Sequence, residues 1–184
     1  PFKQCQLALL HGLVHNAVRH HRDARIIQLG KVSAQHRLNQ GGGYAFQHAS
    51  YEELYEANLA NKSEKDGKVR FYDSFRNRVM VPIIDVRGNV VAFGGRTLRT
   101  DGKVAKYQNS PESEIYSKTR ELYGLYFAKK AIQQQGYAIM VEGYTDVISM
   151  HQAGVENVVA SSGTSLTQDQ IRLLGRFTRN ITVI

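Results

Sequence analysis

The stretch Tyr137-Ala-Ile-Met-Val-Glu142-Gly143-Tyr-Thr-Asp146-Val-Ile-Ser-Met-His151 predicts a β-strand that leads directly into a helix. An apolar run ends at Val141. Glu142 and a glycine follow, and apolar residues then recur at helical spacing. Glu142 is therefore predicted at the carboxyl end of a strand, where open α/β sheets bind their ligands. Asp146 follows about one helical turn later. The two carboxylates indicate either a divalent-metal or acid–base site, or a helix cap at Glu142 beside a solvated Asp146.

The segment from residue 137 onward alternates strands and helices. A second strand is predicted over 157–160, a helix over 166–177 that opens with the capping box of Thr167 and Gln170, and a third strand from Ile181. This βαβαβ order predicts a parallel sheet with right-handed crossovers. A helix over 117–135 that ends at Gly136 precedes it. Neither a dinucleotide-binding Gly-x-Gly-x-x-Gly motif nor a phosphate-binding loop motif is present in the sequence.

The middle of the chain predicts an antiparallel meander. Strands are expected over 79–86, 90–95 and 104–107, because turn residues separate these apolar runs. Pro82 lacks a backbone N–H, which places its strand at an edge or a bulge. The preceding part of the chain, 51–76, predicts a helix followed by a polar loop over 61–67.

Positive charge is concentrated around this meander. The 184-residue chain has a formal net charge of +8, which favours a polyanionic partner. The basic residues near the meander are Arg70, Arg76, Arg78, Arg87, Arg96, Arg99, Lys103 and Lys106. Tyr107 and Asn109 add a stacking ring and an amide, and Gly94-Gly95 before Arg96 allows a ligand to approach the backbone. The pattern is typical of single-stranded nucleic-acid binding, although a solvated sheet face has the same composition.

Residues 1–50 form an atypical His-rich segment to which we assign no domain. It holds six of the seven histidines, and Asp23 is its one acidic residue. Cys5, His11 and His15 invite a zinc hypothesis, but no second ligand pair follows at finger spacing, so we expect no zinc there. A foreign segment or an altered reading frame also fits this composition. The single cysteine excludes an internal disulfide, and no apolar run approaches the ~18 residues of a membrane span.

Five segments together resemble the catalytic core of bacterial replicative primases of the DnaG type. They are 74–96 (SFRNRVMVPIIDVRGNVVAFGGR), 106–112 (KYQNSPE), 116–125 (YSKTRELYGL), 141–147 (VEGYTDV) and 159–164 (VASSGT). The resemblance is close over 70–184 and loose over 51–69. Glu-Gly-x-x-Asp after a strand would by itself indicate the wider toprim superfamily, which includes topoisomerases and nucleases.

The resemblance implies a basic, mixed α/β primase-core subdomain with antiparallel strands over 51–135, followed by a parallel toprim domain over 136–184. It implies that Glu142 is the catalytic residue and, with Asp146, a ligand of Mg²⁺ or Mn²⁺. The residues expected to contact nucleic acid or nucleotide are Arg96, Lys106, Tyr107, Asn109 and Lys118 by resemblance, and Arg76 and Arg78 from the basic cluster.

The implied function is synthesis of short RNA primers from nucleoside triphosphates on a single-stranded DNA template, in the bacterial cytoplasm. A replicative helicase would bind through other regions, zinc would belong to a separate amino-terminal domain, and no membrane partner is expected. The sequence departs from the family at Thr119 and Ser162, and it ends where an Asp-x-Asp motif is expected. We therefore expect a fragment with a truncated toprim domain that makes no primers alone. A single-stranded DNA binding module, or a toprim nuclease or topoisomerase, is the alternative.

Overall fold

The computed structural model describes residues 50–76, 78–161 and 165–184. The predictions for the His-rich segment up to residue 49, including the expectation that it binds no zinc, lie outside the described residues, as does the departure at Ser162. No helix in the described ranges combines the length and apolar character needed to cross a membrane.

Twelve helices and strands follow one another in the described residues. In chain order they are α1 (Tyr51–Glu56), β1 (Ala60–Lys65), β2 (Lys68–Asp73), β3 (Arg78–Ile84), β4 (Val90–Thr97), β5 (Tyr107–Asn109), α2 (Leu125–Gln135), β6 (Ala138–Val141), α3 (Tyr144–Gln152), β7 (Val158–Ala160), α4 (Gln168–Leu174) and β8 (Ile181–Val183). They fall into two compact units. Unit one comprises the described residues up to Pro82 with Ala92–Pro111, and unit two comprises Ile83–Val91 with Glu112–Ile184. The sequence-based boundary at 135/136 stays a prediction.

Unit one begins with a short helix and a hairpin. Ser50 caps α1, because its Oγ accepts from Glu53 N at 3.2 Å while Glu53 Oε2 accepts from Ser50 N at 2.6 Å. The polar loop predicted over 61–67 is wrong, since β1 pairs with β2 in antiparallel register there. Asp66 and Gly67 have φ values of 54° and 69°, a left-handed pair whose twist suits a tight hairpin turn. Cross-strand hydrogen bonding therefore makes strands from a sequence too polar to predict them.

The meander forms a three-stranded sheet in the order β3-β4-β5. β3 lies at an edge, as Pro82 predicted. The third strand predicted over 104–107 is wrong, because β5 begins at Tyr107, and Gly95 pairs with Gln108. Residues 105 and 106 instead present backbone carbonyls to Arg78, whose Nη1 donates to Ala105 O at 2.9 Å.

Unit two contains the parallel sheet predicted from the alternating pattern. Its order is β7-β6-β8, with both neighbours parallel to β6. Helices and strands bury a common apolar cluster, which consists of Leu122, Leu125, Ala128, Ile132, Ala138, Met140, Val159 and Leu174. Because β6 pairs with β7 on one side and β8 on the other, both neighbours hold the strand that leads to Glu142.

The helix predicted over 117–135 begins eight residues late, at Leu125, although it ends before Gly136 as predicted. Tyr123 instead makes a bridge to β7: its N donates to Ala160 O at 2.8 Å, and its O accepts from Ala160 N at 3.0 Å. Gly124 then turns the chain with a φ of 84°, and a Cβ there would lie 2.8 Å from Val147 Cγ1 and 3.2 Å from Val158 O. The bridge and the turn occupy the place of the first two turns of the predicted helix.

Candidate functional site

The carboxyl end of β6 presents two carboxylates. Glu142 directly follows buried Val141 and is exposed. Gly143 N donates to Asp146 Oδ2 at 3.1 Å, so Asp146, which is also exposed, caps helix α3. The alternative in which Glu142 caps this helix is therefore wrong. The Glu142 carboxylate lies in solvent, where a ligand can reach it.

Glu142 and Asp146 offer carboxylate oxygens that suit part of a divalent-metal site. In the described ranges, no group of three or more His, Cys, Asp or Glu side chains is arranged to hold a metal ion. Mg²⁺ commonly uses one or two protein carboxylates and takes its other oxygens from phosphates and water. Glu142 supplies a whole carboxylate, and the helix cap uses one of the two Asp146 oxygens. The donor set therefore suits an ion that arrives with a phosphate-bearing ligand.

Three predicted nucleic-acid residues come together in unit one. The register of β4 and β5 places Arg96 opposite Tyr107. Lys106 Nζ lies 5.6 Å from the centroid of the Tyr107 ring. All three side chains are exposed, with the Lys106 cation at the Tyr107 ring and Arg96 as the cross-strand neighbour of Tyr107.

Arg78 has a different environment from these three residues. Besides Ala105 O, its Nη1 donates to Gly95 O at 3.2 Å and lies 3.5 Å from Lys106 O. A Cβ on Gly95 would lie 2.8 Å from Phe75 Cδ1 and 2.9 Å from Arg78 Cδ. The space at Gly95 that the sequence offered to a ligand is thus filled by protein side chains. Arg78 holds the backbone that presents Lys106.

Arg76 and Asn109 lie in separate surroundings. Arg76 Cζ is 6.0 Å from the ring centroid of Tyr72, an exposed β2 residue that the sequence did not single out. Asn109 lines a cavity of about 430 Å³ that Asn61 and Gln108 also line. The Asp66-Gly67 dipeptide is a hairpin signal that would have revealed Tyr72 as a strand residue.

Lys118 lies in unit two, held by its backbone. Its N donates to Glu112 Oε1 at 2.8 Å, and its O accepts from Gln170 Nε2 at 2.9 Å. Gln170 is fully buried, donates also to Glu121 O at 2.8 Å, and accepts from Thr167 N at 3.1 Å. The capping box of α4 thereby fixes the segment that carries Lys118.

Glu121 in the same segment has a raised pKa. Burial, and after it the charge of Asp85, raises the pKa of Glu121 to about 7. The folded protein therefore holds this proton more tightly than the unfolded chain, whose glutamate has a pKa of 4.5. The resulting stabilisation is complete below the unfolded pKa and is lost as the pH rises through about 7.

We expect the free energy of unfolding to fall by about 1–3 kcal/mol between pH 5 and pH 8 because of Glu121. Urea denaturation at several pH values measures it. Glu121→Gln, which keeps the size of the side chain but cannot ionise, should flatten the profile. An equally steep profile in this variant would show that other groups cause the pH dependence.

Comparisons with known proteins agree with this geometry. The sequence profile described as DNA primase catalytic core, N-terminal domain, matches residues 28–129, and a Toprim-like profile matches 139–184. The DNA primase of Halalkalibacterium halodurans is 51% identical over 121 residues, which cover 66% of this chain and 20% of that protein. The DNA primase of Synechococcus elongatus is 47% identical over 114 residues, 62% of this chain and 16% of that protein. The chain thus spans about a fifth or less of these relatives.

Solved structures show the same fold. A DnaG primase catalytic domain bound to ssDNA superposes with a TM-score of 0.76 and 34% identity, covering 99% of this chain and 61% of that one. An Aquifex aeolicus primase structure with zinc-binding and RNA polymerase domains gives a TM-score of 0.73 and 30% identity, covering 100% of this chain and 48% of that one. With its mixed α/β fold, its parallel sheet and its primase profile, the chain belongs to the family of bacterial, DnaG-type DNA primase catalytic cores.

Proposed function

We propose that this chain serves template-directed synthesis of short RNA primers for DNA replication. The observation that carries the proposal is the exposed Glu142 carboxylate at the end of the central parallel strand, inside the toprim-like match. The primase profile over residues 28–129 favours this function over a toprim nuclease or topoisomerase.

In this proposal Glu142 and Asp146 hold Mg²⁺ or Mn²⁺. When bound, the ion would activate the primer 3′-hydroxyl and neutralise charge on the pyrophosphate. Glu142 is the better donor, because none of its oxygens serves the helix cap. Asp146 orients the turn through Gly143 N, so it acts on the position of Glu142 as well as on the ion.

The basic residues bind and orient the nucleic acid and nucleotides. Arg96, Lys106 and Lys118 are the proposed phosphate contacts, and Tyr107 is a stacking surface for a base. Arg78 is a positioning residue, because its guanidinium binds the carbonyls next to Lys106. Arg76 and Asn109 are proposed to extend this surface.

The proposed partners are a single-stranded DNA template, nucleoside triphosphates and, through other regions of the primase, a replicative helicase. The proposed location is the bacterial cytoplasm, at the replisome. Zinc belongs to a separate domain in this proposal, as the Aquifex aeolicus structure has a zinc-binding domain beside its RNA polymerase domain. A single-stranded DNA binding module is the second candidate, favoured by the exposed group of Arg96, Lys106 and Tyr107.

The 184-residue chain is expected to bind single-stranded DNA with an affinity that falls steeply as salt rises, because released counterions drive binding. Fluorescence titration of a labelled oligothymidylate at several salt concentrations measures how steeply the logarithm of the binding constant falls with the logarithm of the salt concentration. We call the magnitude of this fall the salt slope. Arg96→Ala and Lys106→Ala should each weaken binding and lower the slope by about 0.7, the value of one phosphate contact on a single strand.

Lys130→Ala is the matched control, since it removes one exposed positive charge from helix α2, outside the proposed contacts. Its slope should equal that of the unchanged chain. If Arg96→Ala and Lys106→Ala have the same salt slope as Lys130→Ala, the assignment of Arg96 and Lys106 to phosphate binding is refuted for both candidate functions.

A further inference from the structure

Helix α1 packs against one face of the β1–β2 hairpin at Phe71, and we call this face the covered face. On this face Phe71 stacks on the Tyr51 ring, with centroids 5.4 Å apart and planes 11° apart, and meets the Tyr55 ring edge-on at 6.4 Å. The register puts Lys62 opposite Phe71, so Lys62 belongs to the covered face. Aromatic packing thereby covers this face at Phe71, whereas Lys62, Glu64 and Val69 on the same face are exposed.

The opposite side, which we call the outer hairpin face, is cationic. Its residues are Asn61, Ser63, Lys65, Lys68, Arg70 and Tyr72, all of them exposed. None of these side chains is acidic. Glu64 points to the covered face by strand alternation, and Asp66 lies in the turn.

The register of the outer hairpin face sets like charges against each other. Lys65 lies directly opposite Lys68, an arrangement that costs stability in an antiparallel pair. Arg70 is the next cation along the same face. An anion bound across these three side chains would remove the repulsion between them, so the arrangement suits a phosphate backbone.

An exposed ring completes the face. Tyr72 is 37% exposed, and Arg76 Cζ lies 6.0 Å from its centroid. A stacking ring among cations is the arrangement by which proteins hold unpaired nucleotides. Asn61, the cross-strand partner of Tyr72, also lines the 430 Å³ cavity together with Asn109 of β5. The outer hairpin face and strand β5, which carries Tyr107, therefore border the same cavity.

We propose that the outer hairpin face is a second contact for single-stranded DNA, in which Lys65, Lys68 and Arg70 bind phosphates and Tyr72 stacks on an unpaired base. Single-stranded DNA is favoured over a duplex because a duplex keeps its bases stacked inside, away from the Tyr72 ring. The identity of the ligand rests on the proposed function, while the residues are separate from Arg96 and Lys106.

The first test removes the charges of the outer hairpin face. In the full chain, a triple variant with Lys65→Gln, Lys68→Gln and Arg70→Gln should lower the salt slope for an oligothymidylate of about 20 nucleotides by about 2, from three phosphate contacts at 0.7 each. Lys62→Gln is the matched control for Lys68→Gln, because it removes the same charge from the covered face of the same hairpin. The single Lys68→Gln change should lower the slope, and Lys62→Gln should not.

The second test concerns the ring. Tyr72→Ala should weaken binding of the same oligonucleotide at least about fivefold, whereas Tyr72→Phe should bind as the unchanged chain does. Circular dichroism and thermal melting verify that each variant folds. Equal losses on single strands and on duplex, with no effect of Tyr72→Ala, would overturn the proposed stacking.

The outcome separates this inference from the proposed function. If Arg96→Ala weakens binding while the folded hairpin variants bind normally, the second contact is refuted and the proposed function stands. If neither set of variants changes binding, both fail. If the hairpin variants weaken binding and their effects add to that of Arg96→Ala, the second contact and the proposed function are both supported. If only the hairpin variants weaken binding, the second contact stands and the assignment of Arg96 fails.

Discussion

Replacing Glu142 with glutamine is expected to reduce primer synthesis by about 100-fold or more. The change keeps the size of the side chain but removes the charge that we propose binds the ion at the end of β6, and one catalytic carboxylate commonly contributes at least that factor. A chimera provides the assay: the matching segment of this chain replaces that of the Escherichia coli primase, to which it is 51% identical over 112 residues. Incorporation of labelled nucleotides on a single-stranded template measures the activity.

Two further variants sharpen this experiment. Glu156→Gln is the matched control, because Glu156 is an exposed glutamate that follows helix α3, and it should leave synthesis unchanged. Asp146→Asn retains an oxygen that can accept from Gly143 N, so the cap survives while the charge is lost. We expect this variant to need more Mg²⁺ for half-maximal synthesis. Full activity of the Glu142→Gln chimera would show that the catalytic carboxylate lies elsewhere.

Replacing Gln170 with leucine should lower the free energy of unfolding by about 2–4 kcal/mol. The fully buried amide donates to Lys118 O and Glu121 O, and leucine would leave both carbonyls unpaired at a cost of about 1–3 kcal/mol each. Urea denaturation of the 184-residue chain measures the change.

Gln168→Leu is the control for this prediction, since Gln168 lies two residues earlier in helix α4 and is exposed. It should change the free energy of unfolding by less than about 0.5 kcal/mol. A Gln170→Leu chain as stable as this control would show that the segment around Lys118 is held by other contacts.

Features encoded by neighbouring residues were predictable from the sequence. The strand and helix around Glu142, the capping box of Thr167 and Gln170, and the end of helix α2 before Gly136 are all confirmed. Each signal lies within a few residues of the feature it specifies, as do apolar periodicity and caps in general. The same periodicities predicted the parallel sheet.

Elements that depend on distant partners were predicted wrongly. The segment before Leu125 has a helical pattern, but two hydrogen bonds between Tyr123 and Ala160 and the turn at Gly124 hold it out of the helix. The charged sequence after Ala60 reads as a loop, but its pairing with β2 makes it a strand. In both places backbone bonds to another segment outweigh local preference.

The sequence predicted which charged and aromatic residues belong to the candidate site. The tertiary structure decided what each of their side chains contacts. Glu142, Asp146, Arg96, Lys106 and Tyr107 could be named from their residue types and order. Only the fold decided that Asp146 supplies the helix cap and leaves Glu142 to solvent. The fold also turned Arg78 towards backbone carbonyls and brought Arg76 to Tyr72. The physical reason is that a side chain's charge is a property of its residue, whereas its exposure and its hydrogen-bond partners depend on which distant segments pack against it.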